Sequence, residues 1–189
     1  MPKNISIFIN NKKYSAEIGQ SVLDVAKKNN IYITTLCHHP DIKVQGSCRL
    51  CLVEIKGRKG LFTSCNTQAE NGMRISTESK NISRAKQTNL ELIFSEHCEE
   101  CGDCIYSQDC TILDFAKKYD VKITKYEDRK KAYPVHKFGP ALEFDTSKCI
   151  DCGLCVDVCK KEGVDFLEYK KKGKFYEVCP SSKKDKDCI

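Results

Sequence analysis

The first eighteen residues alternate between apolar and polar side chains, which is the period of a β-strand. Isoleucines occupy every second position from Ile5 to Ile9, and the alternation resumes between Tyr14 and Ile18. Two asparagines at 10–11 separate these segments, and asparagine favours tight turns. The pattern predicts a β-hairpin over residues 4–18.

The next sixty residues predict one helix and several returning strands. The helix is capped near Ser21 and has its apolar residues on one face. A long loop over 32–47 then leads to short apolar segments at 51–55, 61–64 and 73–77, which predict strands. Hairpin, helix, loop and strands form an α+β order, with one helix lying across a mixed sheet.

The second half of the chain predicts two helices and a hairpin around a charged segment. Apolar residues recur with helical spacing over 81–96 and 111–119. Residues 122–137 are charged and irregular, and we interpret them as linker. The segments 166–169 and 174–178 flank a lysine-rich turn and form a hairpin candidate.

Fourteen cysteines change this picture, because most of them fall into three groups. No apolar leader follows Met1, so we expect a soluble cytoplasmic protein whose thiols bind metal instead of forming disulfides. Several soft thiolates that converge on one site are typical of iron–sulfur clusters. The groups are Cys37, Cys48, Cys51 and Cys65; His97, Cys101, Cys104 and Cys110; and Cys149, Cys152, Cys155 and Cys159.

The formal net charge of +6 is weak evidence for a nucleic-acid partner. Cluster binding deprotonates the cysteine thiols, and three clusters would contribute about −5 in total. The holo-protein would then carry a charge of about +1, and the lysines are better explained as a solvated surface. No apolar stretch approaches the roughly 20 residues that a membrane span needs.

The first cysteine group has the spacing of a 2Fe–2S loop, in which two irons share four thiolates. Gly46 lets the backbone pass close to the cluster without a Cβ in the way. The alternative is a zinc site, but zinc modules favour two Cys-x2-Cys pairs, whereas Cys37 and Cys65 stand alone. A zinc-binding nucleic-acid module is therefore a distant alternative.

The second group contains an ambiguity that spacing does not resolve. His97 with Cys101, Cys104 and Cys110 would hold a cubane 4Fe–4S cluster with one imidazole ligand. Cys98 precedes Cys101 closely enough to serve in place of the histidine. Both assignments stay open at the level of the residues.

The third group lacks an evident fourth ligand. Cys149, Cys152 and Cys155 hold three corners of a 4Fe–4S cluster, and in two-cluster ferredoxins the next cysteine ligates the other cluster. Cys179, which precedes a proline, is one candidate for the fourth corner, and Cys159 is the other. Alternatively, residues 186–189 echo 147–150 and open a second motif, so that the chain is a shortened relative of a two-cluster module.

Three ordered motifs resemble one family. They are Gly46-Ser47-Cys48-Arg49-Leu50-Cys51-Leu52-Val53-Glu54, then Leu90-Glu91-Leu92-Ile93-Phe94-Ser95-Glu96-His97, and Gly139-Pro140-Ala141-Leu142 followed by Ser147-Lys148-Cys149-Ile150-Asp151-Cys152-Gly153. This order is similar to that of the iron–sulfur module shared by three kinds of protein. These are the large iron–sulfur subunit of complex I, the small diaphorase subunit of NAD-linked NiFe hydrogenases, and the N-terminal region of iron-only hydrogenases.

The resemblance implies a domain plan and a ligand set. The plan is a β-grasp 2Fe–2S ferredoxin-like domain over 1–79, a short helical histidine–cysteine cubane domain over 80–121, a linker over 122–142, and a shortened bacterial ferredoxin-like 4Fe–4S module over 143–189. One 2Fe–2S and two 4Fe–4S clusters follow, with His97 preferred over Cys98. The implied ligands are Cys37, Cys48, Cys51, Cys65, His97, Cys101, Cys104, Cys110, Cys149, Cys152, Cys155 and Cys179.

The sequence contains no glycine-rich nucleotide fingerprint, flavin-type motif or hydrogenase catalytic domain. A chain devoted to cluster ligation moves electrons between the active sites of other subunits, and we expect no substrate site of its own. The resemblance implies an electron-transfer subunit of an NAD(P)H-linked oxidoreductase complex, with a flavin- and NAD-binding diaphorase subunit and a hydrogenase or dehydrogenase subunit as partners. The N-terminal portion of an iron-only hydrogenase is the alternative.

Overall fold

The first domain is a five-stranded mixed sheet. The computed structural model describes residues 4–97, 101–102, 104, 107–130, 132–138, 140, 142–172 and 175–181. The sheet order is β2-β1-β5-β3-β4, and the central β1 and β5 run parallel while the other pairs are antiparallel. Its strands are β1 (Asn4–Ile9), β2 (Lys12–Glu17), β3 (Leu52–Ile55), β4 (Phe62–Thr63) and β5 (Arg74–Ser76).

The predicted hairpin and helix are both present. Asn10 and Asn11 have φ values of 48° and 66°, the left-handed pair that a two-residue hairpin turn requires. Helix α1 (Val22–Lys28) begins at Ser21, whose hydroxyl accepts a hydrogen bond from the Asp24 amide. The helix buries its apolar face against the sheet, so the observed domain has the expected α+β order.

Two further helices pack beside this domain. Helix α2 (Lys80–Phe94) is capped by Ser79, and helix α3 (Thr111–Lys118) packs against it. Leu90 and Phe94 of α2 are fully buried. We call the apolar groups around these two residues the junction core, because they join the loop of the first domain to both helices.

The charged segment expected to be irregular ends in a β-strand instead. Strand β6 (Val135–Phe138) pairs antiparallel with β7 (Leu142–Asp145), and a 3₁₀ turn (Thr146–Lys148) follows. The expectation of irregular structure over 122–137 was wrong at β6, because its four residues, Val-His-Lys-Phe, show no alternation of apolar and polar positions. The role of 122–142 as a linker between domains stays a prediction.

The last part of the described chain is a helix followed by a hairpin. Helix α4 (Leu154–Lys161) was not predicted, since its cysteines were assigned to ligation alone. Strands β8 (Leu167–Lys172) and β9 (Phe175–Pro180) pair antiparallel, as expected from the lysine-rich turn between them. α4 packs on β8, so the helix that carries Cys155 and Cys159 lies against the hairpin that carries Cys179.

Candidate iron–sulfur sites

The four cysteines of the first group are buried around one loop of the first domain. Cys37, Cys48 and Cys51 lie on the segment between α1 and β3, and Cys65 follows β4. All four are at most 9% exposed. The Sγ atoms of Cys37 and Cys48 are 3.3 Å apart, and the Cys48 amide donates to the Cys37 Sγ over 3.4 Å.

The same four thiols form two pairs. A hydrogen bond from the Cys48 thiol lowers the pKa of Cys37 to about 5, and the reciprocal contact raises the pKa of Cys48. Cys65 acts in the same way on Cys51, lowering its pKa to about 6, while its own pKa is raised. One member of each pair therefore ionises readily, as metal ligation by sulfur requires.

The backbone of this loop is shaped by two left-handed residues. Gly46 has φ +64° and Arg49 has φ +53°, on either side of Cys48. The side-chain amide of Asn89 on α2 donates to the Arg49 carbonyl over 2.7 Å, which ties the loop to the helix. Arg49 adopts a conformation that non-glycine residues rarely occupy, so the loop is held by its surroundings.

Paired sulfurs suit a cluster better than a single ion. A zinc site needs four ligands around one centre, whereas two irons that share a cluster can each take one pair of thiolates. The all-sulfur donors, their burial and the amide that points at Cys37 fit a 2Fe–2S cluster.

The second group lies at the end of α2 and the start of α3. Burial lowers the pKa of His97, so its ring is neutral at pH 7, and its Nδ1 is buried without a hydrogen-bond partner among the described residues. Burial and then the thiols of Cys110 and Cys104 raise the pKa of Cys101, so these three thiols lie within electrostatic range of one another. Cys98 lies outside the described residues.

The loop of the third group runs into α4. The Asp151 amide donates to the Cys149 Sγ over 3.4 Å, and burial raises the pKa of Cys149 to about 12. Burial and then the Cys152 thiol raise the pKa of Cys155, and the Cys159 thiol acts in the same direction. The thiols of Cys155, Cys149 and Cys152 all act in the direction that raises the pKa of Tyr169, after burial and Asp151, so the first three cysteines of the group lie around that side chain.

The two candidates for the fourth corner lie on different elements. Cys159 is buried near the end of α4, where its Sγ accepts the Phe166 amide over 3.1 Å. Cys179 is buried on β9, and burial followed by Glu177 and Glu168 raises its pKa. The Cys159 thiol therefore influences the pKa of Cys155. The pKa of Cys179 is influenced instead by two carboxylates and a lysine.

A buried lysine, which the sequence did not indicate, joins the second group to the third. Lys130 is 2% exposed, and its ammonium lies 2.7 Å from Asp151 and 3.5 Å from Glu96. It also donates to the Cys149 carbonyl over 3.0 Å. Glu96 directly precedes His97. The Lys130 side chain therefore contacts a residue next to the second group and the backbone of a cysteine in the third group.

The first group also contacts the third. The Ser47 hydroxyl donates to the Cys152 carbonyl over 3.4 Å, and the Lys161 ammonium donates to the Asp41 carbonyl over 3.1 Å. Cys152 packs against the part of the junction core that contains Cys37 and Cys48. The three ligand groups therefore belong to one packed unit.

Comparison with known proteins identifies two iron–sulfur domain families in the chain. Residues 2–80 match the 2Fe-2S iron-sulfur cluster binding domain family, and residues 142–162 match the 4Fe-4S binding domain family. A crystal structure of an NAD+-reducing [NiFe]-hydrogenase in the H2-reduced state contains a chain with 30% sequence identity and a TM-score of 0.86. The similarity covers 95% of this chain and 76% of that chain.

The curated relatives are longer proteins, and the chain spans only about a quarter of their length. The chain is 31% identical over 160 residues to NADP-reducing hydrogenase subunit HndD of Solidesulfovibrio fructosivorans, covering 82% of this chain and 27% of the relative. It is 31% identical over 161 residues to iron hydrogenase 1 of Clostridium pasteurianum, with 82% and 27% covered. The 78 kDa subunit of mitochondrial NADH-ubiquinone oxidoreductase from Candida albicans is 26% identical over 154 residues, with 80% and 21% covered.

The folds and sulfur sites define an iron–sulfur electron-transfer protein with a 2Fe–2S domain and a 4Fe–4S motif. The chain belongs to the family of iron–sulfur modules found in NADH-ubiquinone oxidoreductase, in NADP-reducing hydrogenase and in iron hydrogenases. Among the described residues, no helix has the length and apolar character that crossing a membrane would need.

Proposed function

We propose that the chain relays electrons through three clusters inside an NAD(P)H-linked oxidoreductase complex. The observation that carries this proposal is the packing of all three ligand groups into one unit, with Cys152 against the core that contains Cys37 and Cys48, and with Ile150 against the core that contains Cys101 and Cys110. This shared interior supports direct electron transfer between the proposed centres, without a diffusing carrier.

We assign the ligands as the sequence predicts. The first group holds a 2Fe–2S cluster, and the second group, with His97, holds a 4Fe–4S cluster. Cys149, Cys152, Cys155 and Cys179 hold the second 4Fe–4S cluster, with Cys159 as the alternative fourth ligand. The neutral ring and the unpartnered buried Nδ1 support His97 as a ligand, because a metal bond would satisfy that nitrogen.

The partners we propose are a flavin- and NAD-binding diaphorase subunit and a hydrogenase or dehydrogenase subunit. The similarity to a chain of an NAD+-reducing [NiFe]-hydrogenase covers 95% of this chain and favours the hydrogenase diaphorase. The match to iron hydrogenase 1 favours a second candidate, in which the module feeds electrons to a hydrogenase domain.

Anaerobic affinity purification from the native host, followed by spectroscopy, tests this function. We expect a flavoprotein to co-purify and the chain to carry about ten irons, two in the first site and four in each cubane. NADH or NADPH should then bleach the visible absorption of the clusters, and dithionite should add little further bleaching. Clusters that dithionite reduces but neither pyridine nucleotide reduces would contradict the proposed place of the chain in the complex.

A variant of the first site provides the matched control. In Cys51→Ser/Cys65→Ser the second thiol pair is lost, so we expect the 2Fe–2S signal to disappear from the electron paramagnetic resonance spectrum while the cubane signals remain. Co-purification of the flavoprotein should persist, because both side chains are almost fully buried inside the first domain. Loss of the cubane signals as well would show that the ligand groups are not assigned correctly.

A further inference from the structure

Lys86 is a buried lysine without a carboxylate partner. It lies on α2, is 4% exposed, and forms no ion pair with any residue that the structure describes. Its one polar contact among those residues is with the hydroxyl of Tyr119, at 3.5 Å, and its ammonium lies 5.5 Å from the centre of the Tyr119 ring. An ammonium group removed from water costs considerable free energy unless a negative charge compensates it.

Lys86 is held beside the first cysteine group. Leu90 lies one turn further along α2, on the same helix face, and packs with Cys37 and Cys48. Tyr119 packs against that same part of the junction core, and its hydroxyl lies 2.6 Å from Oγ1 of Thr34, three residues before Cys37. The lysine is therefore fixed by residues that also surround the sulfurs.

The charges that act on Lys86 include one from the first cysteine group. Burial lowers the pKa of Lys86, and Lys118 adds to that lowering, whereas the Cys51 thiol and Glu78 act in the opposite direction. Lys118 and Glu78 line the cavity of about 440 Å³ that Lys86 borders, and the Lys118 ammonium lies over the Tyr32 ring. Glu78 is exposed to solvent, which screens its charge.

We infer that the ammonium of Lys86 is the counter-charge to the first cysteine group and that it raises the reduction potential of the 2Fe–2S cluster held there. This inference rests on the proposed 2Fe–2S site. Four thiolates, two bridging sulfides and two ferric irons carry a net charge of about −2, and the one electron that such a cluster accepts from a reduced donor adds another negative charge. A fixed positive charge in a low-dielectric interior stabilises the reduced state more than the oxidised state, and no proton needs to move.

Redox titration of the full chain, followed by electron paramagnetic resonance, tests the role of Lys86. In Lys86→Met we expect the ratio of reduced to oxidised 2Fe–2S cluster at a fixed potential to fall about tenfold, equivalent to a potential about 59 mV lower for a one-electron couple. Lys86→Arg, which keeps the charge, should restore most of the ratio. Lys80→Met removes a charge from an exposed site on the same helix and should change the ratio less than about twofold.

The outcomes separate this inference from the proposed function. A wild-type chain with no reducible 2Fe–2S signal would overturn both. A normal wild-type signal, together with a Lys86→Met protein of full spin count and unchanged potential, would overturn the role of Lys86 alone. If Lys86→Met binds less iron, Lys86→Gln supplies the same comparison, because it loses the charge and keeps a donor for Tyr119, and an unchanged potential there would equally overturn the inference.

Discussion

The hydroxyl of Tyr169 lies 2.6 Å from the position that a Cβ atom on Gly153 would occupy. Gly153 has φ +80° and precedes α4 in the third cysteine loop, so it needs both its missing side chain and its left-handed backbone. We expect Gly153→Ala to lower the free energy of unfolding by about 2 kcal/mol, measured by anaerobic denaturant titration.

Gly163 provides the control for this effect. Its φ is +73°, but nothing among the described residues lies within 4 Å of its Cβ position. Gly163→Ala should therefore cost only the backbone strain, about 1 kcal/mol. Adding Tyr169→Phe to Gly153→Ala removes the clashing oxygen and should recover part of the loss. Equal costs for the two glycine substitutions would show that the contact with Tyr169 is unimportant.

Lys130 should stabilise the contact between the second and third ligand groups. Lys130→Met leaves the Asp151 carboxylate and the Cys149 carbonyl without their ammonium donor, and we expect a loss of about 2 kcal/mol in unfolding free energy. Lys137→Met is the control, because Lys137 pairs with Glu143 on the surface and its loss should cost less than about 0.5 kcal/mol. Similar losses of unfolding free energy in both variants would show that burial of the Lys130 ammonium does not determine the cost of removing it.

The fourth corner of the third cluster can be assigned with two substitutions. If Cys179 is the ligand, Cys179→Ala should lose or degrade that cubane while Cys159→Ala retains it, as judged by iron content and electron paramagnetic resonance. The reverse result would assign Cys159, the cysteine whose thiol acts on Cys155 in the structure. Retention in both variants would indicate a ligand from elsewhere.

The assignment of His97 is tested in the same way. Cys98→Ser should leave the second cubane and its potential nearly unchanged. His97→Ala should destabilise the cubane or transfer the corner to Cys98, and the added thiolate charge would then lower its potential. Loss of the cubane in Cys98→Ser with retention in His97→Ala would reverse the assignment.

Local sequence patterns were sufficient for most of the first domain. The turn at Asn10 and Asn11, the cap at Ser21 and the short strands all follow from neighbouring residues, so a period of two or a capping residue identified them. The strand pair β6–β7 was missed, because each strand is only four residues long and β6 shows no alternation of apolar and polar residues. Helix α4 was missed because ligand spacing concealed its helical period.

The sequence could not identify the two buried lysines, since their partners come from distant parts of the chain. Lys130 contacts residues 19 and 21 positions away, and Lys86 reaches Tyr119 across 33 positions. In the sequence both look like ordinary surface lysines. Only the packing of the helices against the loops removes them from solvent and gives their charges a role.

The contacts of Ser47 and Cys152 make the three ligand groups a triangle, not a row. In a row, damage to the middle centre would stop electron transfer between the two outer centres. In a triangle, under the proposed assignment of three clusters, a direct path between the first and third centres would run beside the path through the second. Such a module would still conduct after oxygen had destroyed its second cluster.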